Sequence, residues 1–220
     1  DVTCIARGKH LEAIRRQGLH LKSDLKGEHF LRVKACTAEE YQGKADVILV
    51  CVKGYSIDSI RPVLERAATP DTLVIPILNV YGTGPRIGRL VPSVRVLDGC
   101  IYIVGFVSGE GEISQMGRIF RLVFGARPQQ QVVTTGWRGL PANSASAASR
   151  WTCRTTSTGI RLSNGRSSRH GLHGCLHDVP MGEVQHEGEV RDTFVGLSRE
   201  SAQIGEKLGS RPYPGDPAGL

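Results

Sequence analysis

The sequence predicts an α/β protein built on a doubly wound parallel sheet and followed by a mainly α-helical carboxyl-terminal domain. In Asp46–Lys53, six apolar residues stand between an acid and a lysine, a pattern typical of a strand buried on both faces. Ser56–Ala68 has apolar residues at helical spacing, and Thr72–Leu78 is a second apolar strand. Strands alternating with helices at this spacing favour parallel strands joined by crossover helices.

The elements before this unit continue the same alternation. Val2–Ala6 is a short apolar strand, and Lys9–Gln17 is a helix that Gly18 ends. Leu19–Lys22 and Phe30–Cys36 alternate in polarity and predict two strands, which we interpret as a hairpin.

Further elements follow on either side of the central strand. Thr37 and Glu40 have the spacing of a capping box, which predicts a short helix. After the second apolar strand, three more strands are predicted at Val94–Leu97, Cys100–Val107 and Arg118–Phe124.

Composition divides the chain into three parts: a sheet domain at 1–126, an irregular or aberrant segment at 127–177, and part of a helical domain at 178–220. The middle part contains seven arginines but no lysine and no acid, so the rest carries 21 basic and 21 acidic residues. The net charge of +7 therefore belongs to this segment alone. Met181–Leu208 regains a pattern that suits a helix or a broken pair of helices.

Apolar runs and cysteine spacing in the sequence argue against some classes of protein. A run near 18 apolar residues and a secretory signal are both missing, so we expect no membrane partner. The six cysteines form no C-x-x-C pair, which favours reduced thiols and a cytoplasmic location. Because Asp1 precedes a strand directly and Leu220 follows no clear domain ending, we expect the sheet domain to lack its start and the helical domain to be truncated.

Lys53 stands where the central strand ends. In open α/β sheets, ligands collect at the carboxyl ends of strands, so a cation there is well placed to meet a phosphate or a ribose hydroxyl. The simpler interpretation is a solvated lysine that only marks the end of an apolar run. Arg7 and Asn79 follow neighbouring predicted strands, and their position beside Lys53 favours a shared binding edge.

Several segments together resemble the ketopantoate reductase (2-dehydropantoate 2-reductase) family. They are "CIARGKHLEAIRRQGL" at 4–19, "ADVILVCVKGY" at 45–55, "LN" at 78–79, "VLDG" at 96–99 and "PMGEV" at 180–184. The resemblance implies a Rossmann-like NADP-binding domain joined to a helical domain. It also implies an NADP-dependent oxidoreductase that reduces ketopantoate to pantoate for coenzyme A synthesis.

The resemblance assigns cofactor-binding roles to four residues. Arg7 matches an arginine that holds the 2′-phosphate of NADP, where a guanidinium suits the anion. Lys53 matches a lysine beside cofactor and substrate, and Asn79 an asparagine on the nicotinamide side of the site. Gly105 falls where the family offers a backbone contact to the cofactor.

The chain also departs from the family pattern. The G-x-G-x-x-G turn that holds the pyrophosphate is absent, and Val80 replaces the glycine that usually follows the asparagine. Where the family has its catalytic lysine in a W-x-K segment, Trp151 is followed by Thr152 and Cys153. Arg154 cannot release a proton, so the catalytic residue is unknown and we expect little reductase activity from these 220 residues alone.

Residues 127–177 carry two competing interpretations. Abundant Arg, Ser and Gly with no lysine is what an out-of-frame reading of GC-rich DNA produces, so we hypothesise a compensated frameshift or an erroneous segment. A genuine disordered linker has a similar composition.

Three alternatives for function remain open. One is a related dehydrogenase of another 2-keto or 3-hydroxy acid. Another is nucleic-acid binding through the arginine-rich segment, which has only two tryptophans for stacking. A metal site at His170, His173, Cys175 and His177 is the weakest, because no second ligand pair supports it. The expected partners are a keto-acid substrate and a second copy in a homodimer, with no metal and no nucleic acid.

Overall fold

A computed structural model of the chain describes residues 1–127, 150–154, 186 and 188–207, and these form an α/β fold with parallel sheet elements. The strands are β1 (Thr3–Ile5), β2 (Leu19–Ser23), β3 (Gly27–Leu31), β4 (Lys34–Cys36), β5 (Val47–Val50), β6 (Leu73–Pro76), β7 (Arg95–Val96), β8 (Asp98–Gly109), β9 (Glu112–Gly125) and β10 (Arg150–Arg154). The helices are α1 (Gly8–Gln17), α2 (Arg61–Ala67), α3 (Thr83–Leu90) and α4 (Glu189–Lys207).

The parallel strands form two small sheets, β1–β4 and β5–β6–β7. One apolar cluster packs against the second of these sheets, under α2 and α3. Its buried members are Val50, Ile57, Leu64, Val74, Ile87, Val91 and Val96. Burying such side chains stabilises the fold by roughly 1.5–3 kcal/mol each. The predicted strand, helix and strand are confirmed here as β5, α2 and β6, and β7 follows as predicted, whereas the sequence did not predict helix α3 between β6 and β7.

The central strand is shorter and less buried than its sequence predicts. Strand β5 covers Val47–Val50 only, and Val50 is 4% exposed whereas Val47 and Leu49 are 38% and 44% exposed. The prediction of a strand buried on both faces is therefore wrong. The reason is that, within the described residues, other elements cover only the face of β5 that carries Val50.

A mixed sheet makes up the other half of the fold. Strands β8 and β9 form a long antiparallel hairpin, and β9 also pairs in parallel with β2 and β10. The sequence predicted these strands as a continuation of the parallel pattern, whereas a two-residue connection forces them to be antiparallel. Leu122 and Phe124 of β9 pack on Leu73 and Ile75 of β6, which joins this sheet to the parallel one.

The predictions of a hairpin and of a capping box are each confirmed in part. The hairpin is confirmed as β2–β3, but Phe30–Cys36 is two strands because β4 pairs with β1 instead. Thr37 and Glu40 make both bonds of the capping box, yet they close a turn and no helix follows.

The helical predictions near α2 and α4 also need adjustment. Two 3₁₀ turns come before α2, so the helix predicted from Ser56 begins only at Arg61, with a proline in its first turn. Within 127–177 the described residues include one strand, β10, and a regular helix, α4, covers Glu189–Lys207. In the described part of the chain, no helix is long and apolar enough to cross a membrane.

Candidate functional site

Arg7 stands between the first strand and the first helix. Its backbone is extended, with φ −148° and ψ 163°, and its exposed side chain makes no capping bond to α1. Gly8 follows with φ +60°, a conformation that glycine adopts without strain. The first turn of α1 contains no acidic residue. A helix amino terminus with an arginine beside it favours binding of an anion.

Lys53 follows β5 and precedes a short turn, Gly54–Ser56. Its side chain is exposed and its backbone is extended. The carbonyl of Lys53 accepts a hydrogen bond of 2.9 Å from the backbone N–H of Ser56. The amine is therefore carried on a closed turn directly beyond a strand end.

Asn79 follows β6 in the same way and is also exposed. The next residue, Val80, is held by α3, because the hydroxyl of Thr83 donates a 2.7 Å hydrogen bond to the Val80 carbonyl. A Cβ added to Gly54 would stand 3.3 Å from a methyl carbon of Val80. The loop that carries Lys53 thus packs directly on the loop that carries Asn79.

The thiols of Cys4, in β1, and Cys51, just after β5, influence each other. Loss of hydration raises the pKa of the Cys51 thiol, and the nearby thiol of Cys4 adds to this increase. Cys4 lies in β1 three residues before Arg7, and Cys51 lies two residues before Lys53. Among the described strands, β1 pairs with β4 in a different sheet from β5 and β6, so the placement of Arg7 at one edge with Lys53 and Asn79 stays a prediction.

Gly105 has a different position. It lies inside β8, where its ladder partner is Gln115 of β9, and it is exposed. This strand belongs to the mixed sheet, and not to the sheet whose strands end at Lys53 and Asn79. Its contact with a cofactor stays a prediction.

No sequence motif includes one further side chain at this edge, Arg86 of α3. Its guanidinium donates to the carbonyl of Gly54 at 3.3 Å and to a carboxylate oxygen of Asp58 at 2.6 Å. Both partners lie on the loop after Lys53. Because the pairing joins residues about 30 positions apart, no local pattern could have revealed it.

A cluster of charged and polar side chains lies on the mixed sheet. Glu112 contacts Lys22 at 2.7 Å and His20 at 3.0 Å, and it accepts a 2.7 Å hydrogen bond from Ser108. The bond to Lys22, then that to Ser108, lowers the pKa of Glu112 to about 2. The imidazole of His20 stacks on Phe30 and also contacts Glu28 at 2.6 Å. These contacts join four strands of the sheet, β2, β3, β8 and β9.

The segment in which the resemblance places the catalytic lysine contains no lysine at the expected position. Trp151, Thr152 and Cys153 belong to β10, paired with Leu122–Phe124 of β9. The proposed metal ligands between His170 and His177 lie outside the described residues. Within the described ones, no group of three His, Cys, Asp or Glu side chains is placed to hold a metal ion.

Known proteins resemble this chain in sequence and in fold. A sequence model of the family "Ketopantoate reductase PanE/ApbA" matches residues 1–129. The chain is 28% identical over 125 residues to the "Uncharacterized oxidoreductase YkpB" of Bacillus subtilis (strain 168), a match that covers 57% of this chain and 41% of that protein. The chain therefore spans about two fifths of the length of this curated relative.

Solved structures show the same fold. The 2-dehydropantoate 2-reductase from Porphyromonas gingivalis W83 superimposes with a TM-score of 0.77 and 26% identity, over 96% of this chain and 74% of that one. A D-mandelate dehydrogenase with NADH and anilino(oxo)acetate gives a TM-score of 0.72 at 16% identity, over 96% and 68% of the two chains.

Proposed function

Because this chain belongs to the ketopantoate reductase PanE/ApbA family, we propose that it binds NADPH at the edge formed by Arg7, Lys53 and Asn79. We further propose that it is part of a reductase that converts 2-dehydropantoate to pantoate. That reaction contributes to the synthesis of pantothenate and coenzyme A, and it takes place in the cytoplasm.

The observation that carries the choice of NADPH is the start of α1. Enzymes that bind NAD use an acidic residue near the end of the second strand to hold the ribose hydroxyls, whereas an arginine there accommodates the 2′-phosphate. In this chain the resemblance makes β1 the counterpart of that second strand. Arg7 follows β1, and the first turn of α1 contains no acidic residue. An exposed guanidinium beside the positive end of a helix suits a phosphate. NADH has no 2′-phosphate for this guanidinium to bind.

The other two residues suit the rest of a dinucleotide. Lys53 supplies a cation for a phosphate or a donor for a ribose hydroxyl, since its amine has three hydrogen-bond donors. The amide of Asn79 donates and accepts at once, as a ribose or a carboxamide requires. Their loops are packed together through Gly54 and Val80, so both side chains approach one ligand from the same edge.

When bound, NADPH supplies the hydride for the reduction. We assign binding and orientation to the described residues, because Cys153 stands where the resemblance places the catalytic lysine. We therefore expect cofactor binding from the 220-residue chain, with little turnover of 2-dehydropantoate. Turnover at an ordinary enzyme rate would show that the chain holds a complete catalytic centre.

A titration with both cofactors tests the proposal. We expect tighter binding of NADPH than of NADH, measured by nucleotide fluorescence. Arg7→Ala should weaken NADPH binding by about tenfold to a hundredfold, as expected for the loss of a charge-assisted contact, and should leave NADH binding unchanged. Arg16→Ala, at the other end of α1, is the matched control and should change neither. Unchanged preference in Arg7→Ala would contradict the role of Arg7.

A second candidate is a dehydrogenase of another 2-keto acid. The same fold occurs in the D-mandelate dehydrogenase with NADH, so the fold alone does not choose between substrates or cofactors. A panel of 2-keto acids offered to the full-length protein distinguishes the two. Reduction of 2-dehydropantoate at a higher kcat/KM than the other acids supports the leading proposal, and a clear preference for an aryl keto acid favours the second.

A further inference from the structure

We propose that Arg86 is a positioning residue that holds Lys53 in place for the cofactor. The inference rests on the proposed function of Lys53, and it adds a residue that has no part in the sequence motifs. Arg86 lies on α3, which follows the loop of Asn79, and its guanidinium reaches the neighbouring loop.

The contacts of Arg86 converge on the turn that carries Lys53. One terminal nitrogen of the guanidinium donates to the Gly54 carbonyl at 3.3 Å, and the other to Asp58 at 2.6 Å. Gly54 is the residue directly after Lys53. The carbonyl of Lys53 itself is bonded within the turn by the N–H of Ser56. Two successive carbonyls are thus held, one from within the turn and one by Arg86.

The pairing is too exposed to act mainly on stability. The side chains of Arg86 and Asp58 are 40% and 65% exposed, and ion pairs in such positions contribute little to the free energy of unfolding. The hydrogen bond to Gly54 instead fixes the direction in which the chain leaves β5. Without it, a glycine directly after Lys53 leaves this turn with wide conformational freedom.

Helix α3 sets the position of the second loop as well. Thr83, one turn before Arg86, holds the carbonyl of Val80, which follows Asn79. The spacing between the two proposed cofactor contacts therefore depends on one helix. Keeping binding groups in a fixed geometry before the ligand arrives reduces the entropy lost on binding.

A direct contact between Arg86 and a phosphate is the alternative, and Asp58 separates the two cases. In the structure, Asp58 pairs with the guanidinium, and Gly54 engages the other terminal nitrogen. If Arg86 bound phosphate directly, Asp58→Asn would release its charge and tighten NADPH binding. If Arg86 acts through the turn, Asp58→Asn removes one of the two contacts between Arg86 and the loop after Lys53, and NADPH binding becomes weaker.

The test is a double-mutant cycle on NADPH binding, measured on the full chain by nucleotide fluorescence. We expect Arg86→Ala to raise the Kd about fivefold to tenfold, Asp58→Asn to raise it about twofold, and Arg86→Lys to fall between Arg86→Ala and the wild type. Arg89→Ala, one turn further along the exposed side of α3, is the matched control and should leave the Kd unchanged. In a Lys53→Ala background, Arg86→Ala should have almost no further effect.

Each outcome bears on a different claim. A full additional loss from Arg86→Ala in the Lys53→Ala background, or tighter binding by Asp58→Asn, overturns the positioning role alone. If Lys53→Ala does not change the Kd, the proposed role of Lys53 fails and this inference fails with it. If Arg86→Ala does not fold, the Kd for NADPH is compared between the wild type, Arg86→Lys and Asp58→Asn instead. Circular dichroism confirms that both variants are folded.

Discussion

Gly84 of α3 lies against Asp98 of β8 so closely that a Cβ added to the glycine would stand 2.0 Å from a carboxylate oxygen of the aspartate. The same Cβ would approach the backbone oxygen of Leu97 and a guanidinium nitrogen of Arg127 to 2.8 Å each. Asp98 is only 1% exposed and pairs with Arg127 at 3.6 Å. A buried ion pair therefore fills the space that a side chain on α3 would need.

Gly84→Ala should destabilise the protein. The added methyl group must displace a backbone oxygen or part the buried ion pair, and overpacking of this kind costs roughly 1–3 kcal/mol, with more where a buried charge loses its partner. Urea unfolding followed by circular dichroism measures the loss. A variant as stable as the wild type would show that α3 shifts away without cost.

Gly88→Ala, one turn later on the same helix, is the control and has the opposite expected sign. The nearest atom to its added Cβ is an Arg127 guanidinium nitrogen at 3.9 Å, an ordinary contact. Alanine is favoured over glycine inside a helix by about 1 kcal/mol, so this variant should be equally or more stable. The pair of substitutions separates steric crowding from helix propensity.

Lys22 controls the acid titration of Glu112. Its hydrogen bond is the largest cause that lowers the pKa of Glu112 from 4.5 to about 2, and Lys22→Gln should raise that pKa towards the ordinary value. Carboxyl-carbon NMR over pH 1.5–7, in about half-unit steps, follows this group directly. Lys26→Gln, in the turn between β2 and β3, is the matched control. An unmoved titration in Lys22→Gln would contradict the assignment.

The same pair makes stability depend on pH. Because the pKa of Glu112 is lower in the folded protein, its contribution to stability is present above pH 4.5 and is lost as the pH falls towards 2. Lys22→Gln should reduce the difference between the pKa of Glu112 in the folded protein and its pKa in the unfolded protein. The fall in unfolding free energy across that window should therefore be shallower in the variant, as urea titrations at several pH values would measure. A fall as steep as in the wild type would argue against a stabilising role for the pair.

Cys100 should resist alkylation in the folded protein. Burial raises the pKa of its thiol from 9.0 to about 11, and the side chain is 1% exposed. Since the thiolate is the reactive form, that shift alone slows the reaction near pH 8 by about a hundredfold. Iodoacetamide labelling read by peptide mass spectrometry should modify the exposed Cys51 in the folded protein, but Cys100 only in urea. Rapid native labelling of Cys100 would mean that β8 opens readily.

The sequence could predict that Lys53 and Asn79 share an edge, because each stands directly after a run of apolar residues. Such a run predicts a strand, and parallel strands of one sheet end together, which is how Lys53 and Asn79 come to share an edge. The reasoning failed for the faces of β5, because burial depends on what other elements cover a strand. Val47 and Leu49 are as apolar as Val50, yet only Val50 is covered.

Contacts between distant residues were beyond prediction for a similar reason. The split of Phe30–Cys36 depends on β1 as the partner of β4, which no local pattern encodes. Likewise, no local pattern connects Arg86 with Gly54 and Asp58, its partners in the structure. Side chains that position a site from a neighbouring element need the tertiary structure to be seen.

The open side of β5 has a consequence for handling the protein. Val47 and Leu49 expose apolar surface on a strand whose outer edge has no ladder partner in the part of the chain that the structure describes. Such an edge pairs readily with other extended chains. Solubility should then be limited by the association of folded molecules with one another. Sulfate, which strengthens apolar association, should bring on turbidity at protein concentrations that stay clear in chloride.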